Sequence, residues 1–473
     1  MNTNGFSVTP NRRQMLQTIS SGFGFLAFSS LATLAAADDQ ESSRNPLAPK
    51  TPHFPAKAKR VIFLCMRGGP SHLDTFDYKP ELAKHDGKSG KFRGTVMKSP
   101  WEFQQNKKSG LWISELLPKI GAMSEELCLL RGMHTDQPVH PRAMTQLHTG
   151  NAQFVRPSLG AWTLYGLGSE NASMPGFISI SPAPGTAQNY GSAFLPAVYQ
   201  GTTLGGSGRR AGAGQAAARF RGPQSDGQVP DIRNPRYDSK QQRQQLDFIQ
   251  RLNGEKLKRD VDQPGVEGVI ESYELAFRMQ TAMPELMDVS NESQKTLDLY
   301  GIGNGPADSF GKQCLLARRF AESGVRFIEI EHGNWDTHNN MSNQLPSLCE
   351  QIDQPIAGLL TDLQRRDMLK DTLVVWAGEF GRTPFGQNGD GRDHNNKGFT
   401  TWMAGGGVKG GFSYGATDEL GGEAVEGKCH IHDWHATMLH LLGLDHTQLT
   451  YRYAGRDFRL TDVAGNVLTD IVA

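Results

Sequence analysis

The chain is poor in cysteine, has no excess charge of either sign and carries no long apolar span. Its 473 residues include five cysteines, an odd number with no C-x-x-C pair. Neither a zinc-thiolate site nor a disulfide scaffold is therefore expected. Cys65 and Cys128 lie in apolar, strand-like runs and read as buried core. The 49 basic and 49 acidic residues cancel, which leaves no global field to draw the chain to nucleic acid, and there is no acidic tail. Internal repeats are lacking. Ser71 in "GGPSH" does not sit in a G-x-S-x-G elbow, which weakens a serine-esterase reading.

What is present begins with a targeting pattern. "NRRQMLQ" places Arg12 and Arg13 ahead of an apolar stretch from Ile19 to Leu34, which ends in the small-residue pattern "LAAADD". Residues 1–37 read as a twin-arginine signal peptide that addresses the export machinery in the folded state. The stretch is short and broken by Ser and Gly, below the roughly 20 apolar residues a membrane span needs. No stable membrane anchor is expected, and the absence of a Cys at the cleavage site argues against a lipid anchor. The expected destination is the periplasm, the cell surface or the medium. Residues 38–59, including "SSRNPLAPKTPHFPAKAK", read as a Pro/Lys linker.

From residue 60 to 473 one grammar recurs. "RVIFLCM", "LCLLRGM", "VRFIEI", "TLVVWAG" and "FTTWMAG" are unbroken apolar runs that read as buried strands, most of them preceded by helical patterns. Alternation of this kind predicts an α/β fold, a mostly parallel central sheet flanked by helices on both faces. From about residue 201 to about 235 the composition shifts to Gly, Arg, Gln and Ala and reads as a flexible surface insertion, followed by the polar helix "SKQQRQQLDFIQRLNGEKLKRD".

Four strand ends carry loops rich in imidazole and carboxylate: Arg67 to Asp77, Arg131 to Gly150, Glu329 to Asn340, and Gly378 to Asn395, which spells "GEFGRTPFGQNGDGRDHN". Parallel strands would bring such loops to one sheet edge. His with Asp or Glu is the ligand set of catalytic zinc and of mixed Zn, Mn, Mg or Ca sites. Asp336, His338, Glu379 and His394 are expected to share a divalent ion, with Asp74 and Asp393 as further candidate ligands. Asp393 either ligates or orients His394. Arg382 either clamps an anionic oxygen or forms a salt bridge that shapes its loop. His72, His134, His148 and His332 read as structural.

These residues resemble the alkaline phosphatase/sulfatase superfamily, and more closely its exported bacterial branch, the domain-of-unknown-function 1501 family. "VVWAGEFGRTP" is similar to the superfamily strand that ends in a metal-binding motif, and "HNNKGFTTWMAGGG" is similar to the pattern in which a ligating His precedes a strand, which points at His394. "HPRAMTQLHTG" corresponds to the nucleophile helix, which in the superfamily begins with Ser, Thr or Cys. Here that position is His140, so the covalent nucleophile of the superfamily is missing. His140 is then a ligand, a nucleophile or an acid/base, or catalysis uses metal-bound water without a covalent intermediate. The resemblance implies an alkaline-phosphatase-like fold and an exported, metal-dependent hydrolase of phosphate or sulfate esters, acting on a small-molecule or polysaccharide ester. The alternative is a non-catalytic envelope or surface binding protein that keeps the fold.

Overall fold

In the computed structural model the described residues are 45–90, 93–205, 236–259, 264–303 and 305–473. The signal peptide expected at 1–37, the start of the linker and residues 206–235 of the insertion lie outside them. Among the described residues no helix is long and apolar enough to cross a membrane.

The strands that matter are β1 (Arg60–Met66), β2 (Leu127–His134), β3 (Phe177–Ile180), β4 (Thr202–Leu204), β5 (Phe327–His332), β6 (Thr372–Ala377), β7 (Gly381–Gln387), β8 (Gly391–Asn395), β9 (Phe399–Ala404), β10 (Phe412–Tyr414) and β11 (Cys429–His430). Nine of them form the main sheet, in the order β10-β2-β9-β6-β1-β5-β3-β4, with β11 also paired to β2. β1 sits at the centre, parallel to β5 on one side and to β6 on the other. Both of its faces are covered, which is why "RVIFLCM" is apolar without alternation. Ile62, Leu64 and Met66 enter one hydrophobic cluster, whereas Val61, Phe63 and Cys65 enter the other. Side chains of a strand alternate between faces, so each set covers one layer.

Four helices position the site: α1 (His140–Thr149), α2 (Asp308–Glu322), α3 (Met341–Arg365) and α4 (Ile431–Leu441). α2 and α3 pack on the face of Ile62, through Phe310, Leu315, Phe320, Leu345, Ile352 and Leu359. α1 and α4 cover the face of Phe63, through Met144, Leu147, Trp434 and Met438. A mostly parallel sheet with helices on both faces results.

Four details differ from the sequence reading. β9 runs antiparallel to both β2 and β6, because no helix lies between β6 and β9 to carry the chain back across the sheet. The glycine-rich loop after β6 is instead a hairpin: β7 and β8 pair antiparallel, and the chain turns at Asn388 and Gly389, both with positive φ. An Asn-Gly turn between two short runs was the signal available for it. Finally, the insertion read from residue 201 begins with a strand: β4 adds to the sheet edge beside β3, and Leu204 is buried. The Pro/Lys linker is likewise tied down, with the backbone N–H groups of Lys57 and Ala58 donating to the carbonyl of Leu441.

Candidate metal centre

The loops that leave β1, β2, β5 and β6 all emerge at the carboxyl edge of the sheet, and the β7–β8 hairpin folds over them. Helix α1 opens with His140 and has Pro141 in its first turn, where the missing N–H of proline costs nothing. The loop after β5 is anchored by Trp335, buried to 1% exposure, whose indole N–H donates to Nδ1 of His332. Gly68 passes so close that a Cβ there would lie 2.7 Å from the backbone N of Trp335 and of Asp336. Its φ of +121° also suits only glycine. Asp336 and His338 follow on this anchored loop. His394 arrives from the hairpin, opposite Arg382, at a shift in register between Arg392 and His394. Bulges of this kind re-aim a side chain.

Four side chains meet as a result. Ligand atoms of His140, Asp336, His338 and His394 all lie within 4.8 Å of one another, so the group could hold a metal ion. Oδ1 of Asp336 is 3.1 Å from Nε2 of His140, 2.9 Å from Nε2 of His338 and 3.3 Å from Nε2 of His394.

The far side of each imidazole decides its tautomer. Nδ1 of His140 donates to Oε1 of Glu379 at 2.6 Å, Nδ1 of His338 to Oε1 of Gln387 at 2.5 Å, and Nδ1 of His394 to the carbonyl of Pro138 at 2.8 Å. With the proton fixed on Nδ1, a neutral ring turns the bare lone pair of Nε2 inward. Nε2 of His338 and Nε2 of His394 then face each other at 2.9 Å, acceptor to acceptor. Nε2 of His140 is buried without a hydrogen-bond partner. Three inward lone pairs and one carboxylate oxygen are the donor set a divalent cation takes.

The local charges act on these groups in opposite directions. Burial opposes ionisation of Asp336, but the hydrogen bond and charge of Arg382, with His140 and His338, hold its carboxyl well below the usual range. Burial likewise opposes a charge on His140, yet Glu379 and then Asp336 raise its pKa. For His394 burial is the largest influence and lowers the pKa; Arg382 and His140 add to it.

The remaining candidates fall elsewhere. Glu379 does not join the four: it is fully buried, accepts from the backbone N–H groups of Gly68 and Gly69, and stands behind His140. Arg382 has no donor left for an anionic substrate. Its N–H groups go to the carbonyls of Gly68, Gly69, Trp335 and Arg392, to Asp336 and, at 3.5 Å, to Nε2 of His338, and none of it is exposed. It is the salt bridge that shapes the loop. Asp74 is turned away by the short 3-10 turn His72–Asp74 and is bonded by Arg392 at 2.8 and 3.2 Å, both residues being fully buried. Asp393 lies at the exposed rim, accepting from the backbone of His394. Pro138 and Gln387 have no mark in the sequence, since one acts through its carbonyl and the other through hairpin register.

A family model described as a protein of unknown function, DUF1501, matches residues 58–472. The chain belongs to this family. No curated protein matches it. Among solved structures, the chain is similar to a lipoteichoic acid synthase from Listeria monocytogenes, at 8% identity, 88% of this chain, 78% of that chain and a TM-score of 0.37. It is also similar to a sulfatase from Pseudoalteromonas sp., at 12% identity, 89% and 72% coverage and a TM-score of 0.35. A phosphonate monoester hydrolase from Silicibacter pomeroyi gives 10% identity, 81% and 73% coverage and a TM-score of 0.32. All three likenesses are distant.

Proposed function

We propose that this member of the DUF1501 family is an exported hydrolase of phosphate or sulfate esters, working with one divalent ion held by His140, Asp336, His338 and His394. The observation that carries the reading is the trio of imidazoles, each with its proton fixed on Nδ1 and its Nε2 lone pair turned on Asp336. Three nitrogens and one oxygen suit zinc or manganese better than calcium or magnesium, which prefer all-oxygen shells. The superfamily resemblance of the sequence supplies the ester chemistry, and the Arg12-Arg13 segment supplies export through the twin-arginine machinery.

When bound, such an ion polarises the ester oxygen and lowers the pKa of a coordinated water. The chain's own groups prepare the site. Glu379 holds the His140 proton on Nδ1 and makes Nε2 more basic, as carboxylate–histidine pairs do. Arg382 offsets the charge of Asp336 and keeps that carboxylate from rotating away. Asp336 remains 45% exposed on its outer side, where a substrate can approach.

The test measures bound metal and turnover of phosphate and sulfate esters together, in wild type and in His140→Ala. Joint loss in the variant supports His140 as a ligand. Retention of both in the variant overturns that role. A metal-loaded wild type with no turnover of any ester returns the second reading, a non-catalytic envelope binding protein. Two features favour that alternative: the fully engaged Arg382 and the absence of a hydroxyl at the start of α1.

A further inference from the structure

Beneath the candidate centre, on the sheet face covered by α1, lies a group the reaction does not use. Cys65 on β1, Glu329 on β5 and His148 in the last turn of α1 bring Sγ, a carboxylate oxygen and an imidazole nitrogen within 4.8 Å of one another. All three are buried, at 0, 1 and 3% exposure. Phe63 of β1 packs beside the His148 ring at 5.6 Å.

The hydrogen bonds of this group do not close. Nδ1 of His148 donates to the carbonyl of Met144 at 2.8 Å, which fixes the ring proton there. Nε2 then directs a lone pair at Oε1 of Glu329, 3.0 Å away. Two acceptors at that distance need a proton or a cation between them. The second carboxylate oxygen, Oε2 of Glu329, is buried with no partner at all. Ser179, the lateral neighbour of Glu329 on β3, also has a buried hydroxyl without a partner. Glu331, two residues along β5, shows the contrast: its carboxylate is bonded by Nε of Arg67 and by the backbone N–H of Ala183. A buried carboxylate with a single contact is costly unless a further positive group completes it.

We propose that Cys65, His148 and Glu329 form a second, buried cation site that takes one divalent ion of the zinc class through a thiolate, an imidazole and a carboxylate. The charges balance. A doubly positive ion offsets Cys65 thiolate and Glu329 carboxylate beside neutral His148, so the interior stays neutral. Binding releases two protons to solvent: the thiol proton of Cys65, and the proton that His148 and Glu329 otherwise share. Burial first, and then the carboxylates of Glu329, Glu331 and Glu379, push the Cys65 thiol well above its ordinary value. Cysteine spacing could not announce this site, because its ligands come from positions 65, 148 and 329. The proposal stands independently of the surface centre, which contains no sulfur.

The test uses full-length protein produced with zinc or with cobalt(II), then treated with a chelator under native conditions. One ion per chain should resist the chelator, because its ligands are out of solvent. Zinc-edge X-ray absorption of that fraction should show one sulfur at about 2.3 Å, and the cobalt form should show a thiolate-to-cobalt charge-transfer band. Cys65→Ser should lose both the resistant ion and the band. His338→Ala, in the surface centre, should keep both. If the surface centre binds nothing, the band and the resistant ion still appear, and only the hydrolase reading falls. Wild-type protein with no sulfur neighbour and no resistant ion overturns the proposal and leaves an imidazolium–carboxylate pair beside a neutral thiol. A band that persists in Cys65→Ser overturns it equally. Should Cys65→Ser fail to fold, the wild-type spectrum decides, since among the described residues no other candidate ligand group contains a cysteine.

Discussion

Glu379 illustrates how one buried carboxylate can govern a site without entering it. It accepts from Gly68, Gly69 and His140 at once, so it fixes both the loop after β1 and the proton on His140. Glu379→Gln must turn its amide N–H groups either toward His140 or toward the two glycine N–H groups, and one set of donors is then left facing donors. Metal affinity should fall by about 10–100-fold, with a stability loss of about 1–3 kcal/mol. Isothermal titration with zinc and urea denaturation measure the two. A smaller residue-scale effect concerns His435, which is fully buried and donates from Nε2 to the carbonyl of Leu147 at 2.7 Å. Burial, then His432, His430 and His148, lower its pKa from 6.5 to about 3. The unfolded chain therefore binds the proton first as pH falls, and stability declines from about pH 6.5 down toward pH 3. At pH 5 this single group costs roughly 2 kcal/mol. Denaturant midpoints at pH 7 and pH 5 should differ by less in His435→Gln, which keeps a donor for Leu147 but does not titrate.

Among the elements, the β7–β8 hairpin is the part on which the site most depends. It delivers His394, and its Gln387 orients His338. Gly391 is the point where the arm touches the loop after β5: a Cβ there would lie 2.0 Å from the backbone carbonyl of His338. Gly391→Ala must displace one backbone or the other. Zinc affinity should drop at least tenfold, about 1.4 kcal/mol, while the far-ultraviolet circular dichroism stays that of the wild type. An unchanged affinity would show that the arm yields without moving His394. The strands themselves were legible, since β1, β2, β5 and β6 are unbroken apolar runs buried on both faces. That loops rich in His and Asp would meet at one edge followed from the same runs. What was not legible is which member of each loop faces inward. Glu379 and Arg382 are three residues apart on one turn, and the backbone of Gly68 and Gly69 claims both of them. The direction of β9 was hidden for a related reason. "FTTWMA" is apolar whichever way it runs, and only the lack of an intervening helix marks it as reversed.

Across the whole molecule, the sheet acts as a frame that holds one potential cation centre above its carboxyl edge and a second within one covered face. Ligand binding to the folded state alone should stabilise it. Zinc at a hundred times its dissociation constant contributes about 2.7 kcal/mol for one site. Wild-type protein should therefore unfold at a higher urea concentration with zinc than with chelator, and His338→Ala should lose the share that belongs to the surface centre. Equal midpoints in all conditions would remove the cation from the account of stability. The central position of β1 has a further consequence, for biosynthesis. Its neighbours β5 and β6 come late in the chain, and the contacts that join Gly68 to Glu379 span 311 residues of sequence. A chain made from its N-terminus cannot grow this sheet strand by strand. β1 waits beside neither partner until residues 327–377 exist, and closing so long a loop is entropically unfavourable and kinetically slow. His140 waits with it, so the surface centre assembles only after nearly the whole polypeptide has been synthesised, and an exposed apolar β1 must be kept from aggregating in the meantime.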